Sequence, residues 1–303
     1  MRGRQSPRRA ALLCLAGIVL FHKVFGGFID LRPSADTSLF SAFPENNFGA
    51  ASNMVAGANG SGFPARALLR FDLAGQIPPG SVALSAILTL DVVIVPGGGG
   101  TASVFDLRRV LADWGEGGGT GNTGVPAAEG EAAWNSRFHP SPSWSVPGGA
   151  VGNDFAAPAS ASRLIGGPGA YSFDSTPGLV ADIEEWRRNP SGNFGWVLMS
   201  ESESVAFTAK RFGTREDPSH TPLLRVRFAF PPEIQSIGTA ANQVQFSFSA
   251  PAGQNHTVQY QDALGSGPWL NLTNFPPLTA TANLIVLDSP PATAQRFYRI
   301  IAY

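Results

Sequence analysis

Residues 65–95 read ARALLRFDLAGQIPPGSVALSAILTLDVVIV, two apolar runs at 67–73 and 83–95 broken by Pro-Pro-Gly at 78–80. Proline has no amide to donate to a sheet ladder, and glycine reaches backbone angles closed to other residues, so the break marks the end of a strand. Short runs of the same kind recur at 37–40, 102–107, 193–199, 205–208 and 223–230. Strands of this length, repeated between turn residues, predict a sandwich or barrel. The 35 glycines and 25 prolines fit that expectation, because they favour loops over long helices.

One helix interrupts the pattern. Leu179, Val180, Ile183 and Trp186 fall at helical spacing, Ser175 or Thr176 can cap the start, and Pro177 suits the first turn. Asn189-Pro190 stops it. The expectation is a single amphipathic helix that plugs one end of a sandwich core.

A chain of 303 residues is long enough for two cores, since domains commonly run about 100–200 residues. Pro231-Pro232 marks a boundary, after which Val244, Phe246 and Phe248 alternate with Gln245 and Ser247. Further runs follow at 257–261, 269–272, 284–287 and 296–301, enough for a small second sandwich. The expected division is 1–27, 28–230 and 231–303.

The first segment reads as a secretory signal peptide. Arg2, Arg4, Arg8 and Arg9 precede an apolar run at 10–21, shorter than the roughly 20 residues that a spanning helix needs. Export to the extracellular space or cell surface is expected, with no membrane span after the signal is removed; an uncleaved anchor is the alternative. Cys14, the one cysteine, lies within this run behind Leu13, where a lipidation signal wants a small residue. Five of the 21 basic residues and none of the 22 acids precede Phe28, which leaves 16 against 22, a net charge of −6. Nucleic acid is a poor partner for such a chain, because its binding depends on basic patches that displace phosphate counterions.

The stretch 34–230 resembles the DNRLRE family of secreted bacterial and archaeal proteins, some of them classed as carbohydrate-binding modules. The words that carry the resemblance are ADTSLF, NNFG, ARALLRFDL with IPPGSVALSAILTL, VLADWGEG, GEAAW, STPGLVADIEEWRRNPSGNFGWVL, TAKRFGTRE and PLLRVRF. The resemblance implies an all-β fold, a jelly-roll-like β-sandwich with one short helix, and for certain members binding to acidic polysaccharides. The tail from Pro232 is similar to fibronectin type III-like or immunoglobulin-like modules through HTVQYQDALGSGPWLNL and RFYRI. It implies a second small β-sandwich with a spacer or adhesion role.

Candidate contacts for an extracellular polysaccharide are Trp114, Trp134 and Trp144, which sit among loop residues with Asp113, Glu116, Asn135 and Arg137 beside them. A flat indole can stack on the apolar face of a pyranose while polar neighbours bond its hydroxyls; equally, such indoles can pin long loops to a sandwich. Lys210, Arg211 and Arg215 form the one basic concentration after the signal, and Arg211 with Arg215 would suit a uronate carboxylate unless Glu216 and Asp217 pair with them. Asp30, Asp36, Asn46, Asn47, Asn53 and Asp217 are oxygen donors for a structural calcium ion, though they also serve as ordinary turn residues. Asp113 with Glu116, or Glu201 with Glu203, could be the carboxylate pair of a polysaccharide hydrolase. No histidine-based triad or cysteine nucleophile can be assembled from the sequence, so a non-catalytic binding protein is expected. A structural or adhesive matrix protein is the second reading, and a polysaccharide lyase or hydrolase the third.

Overall fold

A computed structural model describes residues 27–78, 80–230, 232–240, 243–263, 267–291 and 295–302. The segment expected to be a signal peptide, 1–27, lies outside the described residues except for Gly27. The chain divides into two compact units that part between Ala229 and Phe230.

The first unit holds β1 (Gly27–Leu31), β2 (Ala35–Phe40), β3 (Asn46–Asn47), β4 (Asn53–Ala58), β5 (Pro64–Arg70), β6 (Val82–Ile94), β7 (Ser103–Arg109), β8 (Val125–Pro126), β9 (Ala161–Ile165), β10 (Gly169–Phe173), α1 (Pro177–Arg188), β11 (Trp196–Ser200), β12 (Lys210–Gly213) and β13 (Leu223–Ala229). Eleven of these strands form one curled sheet in the order β1-β13-β6-β12-β4-β5-β11-β7-β9, with β10 on β6 and β2 on β5. All the pairings in it are antiparallel. The architecture is therefore all-β and sandwich-like.

The curl has a corner. β4 and β5 pair only through Gly57 with Ala65 and Ala58 with Pro64. Gly57 takes a φ of +99°, and a Cβ there would stand 2.8 Å from the Thr208 carbonyl oxygen, so glycine is required. Folded at this corner, the two halves bury Leu69, Phe105, Leu107 and Leu198 from one side and Leu88, Leu90, Phe212 and Val226 from the other. Phe105 and Phe212 meet edge-on at 5.8 Å across the layers.

The helix forms as its spacing predicts. The Thr176 hydroxyl accepts from Leu179 N at 3.0 Å, and Leu179, Ile183 and Trp186 are buried. Trp186 packs on Trp196 with ring centroids 4.5 Å apart, and Asp182 accepts from Trp196 Nε1 at 2.8 Å. The helix also guards β6: Glu184 accepts from Ala83 N and Ser175 from Ala86 N.

One strand expectation fails. Residues 205–208 are a loop, because the 201–208 segment turns on itself through Val205 N to Ser202 O and Thr208 Oγ1 to Val205 O.

The second unit contains β14 (Glu233–Ala240), β15 (Gln243–Ala250), β16 (His256–Gln261), β17 (Leu270–Phe275), β18 (Ala282–Asp288) and β19 (Phe297–Ala302). They form two antiparallel three-stranded sheets, β14-β15-β18 and β17-β16-β19. Val244, Phe246, Phe248, Val258 and Val286 pack together from both. His256 is buried there, with its ring centroid 5.7 Å from that of Phe248.

Candidate functional site

The three loop tryptophans do not face solvent. Trp114, Trp134 and Trp144 are 1%, 9% and 4% exposed. They join Val110, Ala132 and Phe155 in a layer that covers Leu39 of β2, Leu68 of β5 and Val197 of β11. Trp114 Nε1 donates to the Phe194 carbonyl at 2.8 Å and Trp144 Nε1 to the Ala133 carbonyl at 3.0 Å. Arg70 lies 5.2 Å over the Trp114 ring and Arg66 lies 5.5 Å over Trp134. Gly148 closes the rest: a Cβ there would come within 2.5 Å of the Trp134 ring. The expectation of indoles free to stack on a sugar is corrected. A loop this long has little sheet ladder to hold it, so buried aromatic area and indole hydrogen bonds hold it instead.

The neighbouring polar candidates serve the same loop. Asp113 accepts from Arg70 Nη1 at 3.0 Å, Arg137 Nη1 donates to the Asp113 carbonyl, and Asn135 reaches Glu45. Glu116 leaves this group. It holds Arg215 with both oxygens at 2.8 Å and accepts from Asp36 N at 2.7 Å, while Arg215 N donates to Asp36 Oδ2 at 2.9 Å. Glu216 also reaches the Arg215 Nε, at 3.0 Å. Three residues that the sequence assigned to three separate roles therefore meet in one cluster. Burial pushes the Asp36 carboxyl up to about 7, aided by the nearby Glu216 and Glu116 charges and opposed by the bond from Arg215. Burial raises Glu116 as well.

The remaining candidates are dispersed. Lys210 is buried, its Nζ donating to the Thr101 carbonyl at 2.8 Å and the Thr208 carbonyl at 3.0 Å, and burial lowers its pKa. Arg211 bonds Asn53 Oδ1 at 2.6 Å, and Asp30 pairs with Arg225 through both oxygens. Asn46 donates to the Thr123 carbonyl; Asn47 donates to the carbonyls of Glu116 and Ala132 and accepts from Gly49 N and Gly119 N. Asp217 accepts from Ser219 N and faces His220 Nδ1 at 2.8 Å. Among the described residues no three His, Cys, Asp or Glu side chains are grouped to hold a metal ion.

Exposed aromatic surface lies elsewhere, on loops to which the sequence assigned no aromatic ligand contact. Phe63 and Phe207 are 48% and 47% exposed. Both are tied to Asn59, whose N donates to the Phe63 carbonyl at 3.0 Å and whose carbonyl accepts from Phe207 N at 3.2 Å. The Asn59 side chain accepts from Ser61 N and Phe63 N, and Thr101 N donates to the Phe207 carbonyl at 2.8 Å. The loops 59–63, 96–101 and 201–208 thus converge beside the β4–β5 corner. The NGSGF hairpin signature at 59–63 was the legible clue.

Residues 28–146 match carbohydrate-binding module family 96. The match runs from β1 through β7 and the tryptophan loop to just past Trp144, and it supports a carbohydrate-binding domain in that part of the chain. It takes in Phe63 and Thr101 but stops short of α1, of the loop that carries Phe207, and of the second unit. No curated protein matches the chain significantly.

Proposed function

We propose that this chain is an exported, non-catalytic protein that holds an extracellular polysaccharide through its first unit. The observation that carries this reading is the match of residues 28–146 to a carbohydrate-binding module family. The basic and then apolar opening of the sequence supports export, and among the described residues no helix is long and apolar enough to cross a membrane. Three of the four carboxylates that a hydrolase would pair are engaged in ion pairs: Asp113 with Arg70, Glu116 with Arg215 and Glu203 with Arg66. The likeness of 34–230 to DNRLRE proteins and of the tail to fibronectin type III modules agrees with an extracellular setting.

Retention of the purified protein on a panel of immobilised polysaccharides tests this. Saturable retention on at least one polysaccharide, with no new reducing or unsaturated ends, is the expected result. Absence of retention on every member overturns the proposal.

A structural or adhesive role is the second reading, and one observation favours it. β18 ends its sheet and leaves Ile285 and Leu287 exposed, apolar side chains on an edge strand of the kind that pairs with other chains. Self-association that persists on a saturating glycan would favour this reading.

A further inference from the structure

We infer that the loop cluster bearing Phe63 and Phe207 is the glycan-contacting surface, and that it takes a neutral polysaccharide and not a polyuronate. This rests on the carbohydrate-binding reading above and deepens it by naming the surface and the charge class of its ligand.

Phe207 is the first observation. It has a φ of +66°, the one non-glycine residue with positive φ among the described residues. An aromatic residue pays conformational free energy to stand in this region, and this one is still about half exposed. Glycine or asparagine would satisfy the same backbone with less strain. The surroundings nevertheless enforce the geometry, through Asn59 on one side of Phe207 and Thr101 on the other. Gly60 lets the ring lie close, since a Cβ there would be 2.8 Å from Phe207 Cε1. Backbone strain retained at a half-exposed aromatic residue is the kind of outlier that clusters at ligand-binding sites.

Chemistry of the surroundings is the second. Phe63 hangs from the same Asn59, so two exposed rings share one hydrogen-bonded support. Such rings offer flat apolar faces to the C–H side of a pyranose, while the hydroxyls of Ser61, Ser202 and Ser204 can bond its rim. A support held this firmly orders little on binding, which limits the entropic cost.

Charge decides the class. The three loops carry two charged residues, Glu201 and Glu203. Glu203 is held by Arg66, which also donates to the carbonyls of Gly148 and Gly149. Lys210 lies beneath, sealed by the carbonyls of Thr101 and Thr208. Glu201 is exposed. A uronate arriving here would meet a carboxylate and no free cation from these loops, whereas a neutral sugar loses nothing.

The test is affinity electrophoresis of the full chain against neutral β-linked glucan, mannan and xylan and against polyuronates, with Phe63→Ala, Phe207→Asn and Phe207→Tyr beside the wild type. Retention by a neutral polysaccharide is expected, at least tenfold weaker in Phe63→Ala and in Phe207→Asn and restored in Phe207→Tyr. Thermal melting should hold in Phe207→Asn, whose side chain tolerates positive φ. Neutral-glycan retention untouched by Phe63→Ala and Phe207→Asn would overturn the surface, and retention confined to polyuronates would overturn the charge class. In both cases the carbohydrate-binding reading survives. Failure on every polysaccharide overturns both.

Discussion

The first unit carries two sets of loop aromatics, and they have opposite fates. In the tryptophan loop the indoles are sealed, the N–H groups of Trp114 and Trp144 are bonded to carbonyls, and Trp134 and Trp114 lie under Arg66 and Arg70. At the β4–β5 corner the supporting backbone is tied together by its own hydrogen bonds, and Phe63 and Phe207 are left half exposed. In the first region the aromatics hold the loop; in the second the loop holds the aromatics. Residue type and glycine-rich context are shared, so neither identifies a ligand surface by itself. What separates the two regions is whether the backbone could stay in place without the ring.

This comparison can be broken by substitution. Trp144→Ala should cost about 3–5 kcal/mol of stability, the usual penalty for emptying a buried aromatic site, and lower the melting temperature of the first unit. Any folded fraction should bind glycan as the wild type does. Lost binding without lost stability would restore the indoles as ligand contacts.

The acidic cluster that joins the tryptophan loop to Arg215 sharpens the contrast, because its Asp36 is buried where Glu201 of the corner loops is exposed. Asp36 titrates near 7 in the folded chain against 3.8 in a free side chain. Between about pH 4 and pH 7 the folded state keeps a proton that the unfolded state has released, so stability falls as pH rises through that window and levels off above it. The full effect is on the order of 4 kcal/mol, and Asp36→Asn should flatten the profile. His256 in the second unit has the opposite sign. Burial lowers its pKa from 6.5, so acidification below about 6.5 charges the unfolded state first and weakens that unit. Calorimetry across pH 4–8 should show the first unit's transition rising and the second's falling as pH drops; a first transition that falls would contradict the Asp36 assignment, and a second that rises would contradict that of His256.

A smaller effect is expected at Arg66. Arg66→Ala leaves Glu203 without its bidentate partner, frees two loop carbonyls and uncovers Trp134, a loss of about 2–3 kcal/mol measurable by denaturant titration. Smallest of all, Phe207→Asn should change stability by no more than about 1 kcal/mol, since relief of backbone strain offsets the lost ring contact. A large loss there would mean that the ring holds its loop after all and would erase the contrast.

Much of the scaffold was legible. Runs at 83–95 and 223–230 became β6 and β13, the alternation around Val244, Phe246 and Phe248 became β15, and the Thr176–Pro177 start of α1 followed from capping chemistry. Residues 205–208 misled because Val-Ala-Phe-Thr is β-prone by composition, while a tight turn stabilised by Ser202 and Thr208 overrode propensity. The acidic cluster was invisible because Asp36, Glu116 and Arg215 are 80 to 99 residues apart between successive members. The support of the corner was invisible for the same reason: Asn59 meets Phe207 only after β4 and β12 pair.

By itself the sequence determined what depends on near neighbours: strand periods, turns, a capped helix and the break before the second unit. Tertiary structure alone decided which aromatics are buried and which charges meet, because burial and long-range pairing depend on what the fold stacks above each residue. An indole and a phenyl ring on similar loops carry no local mark of whether a guanidinium or open water will cover them.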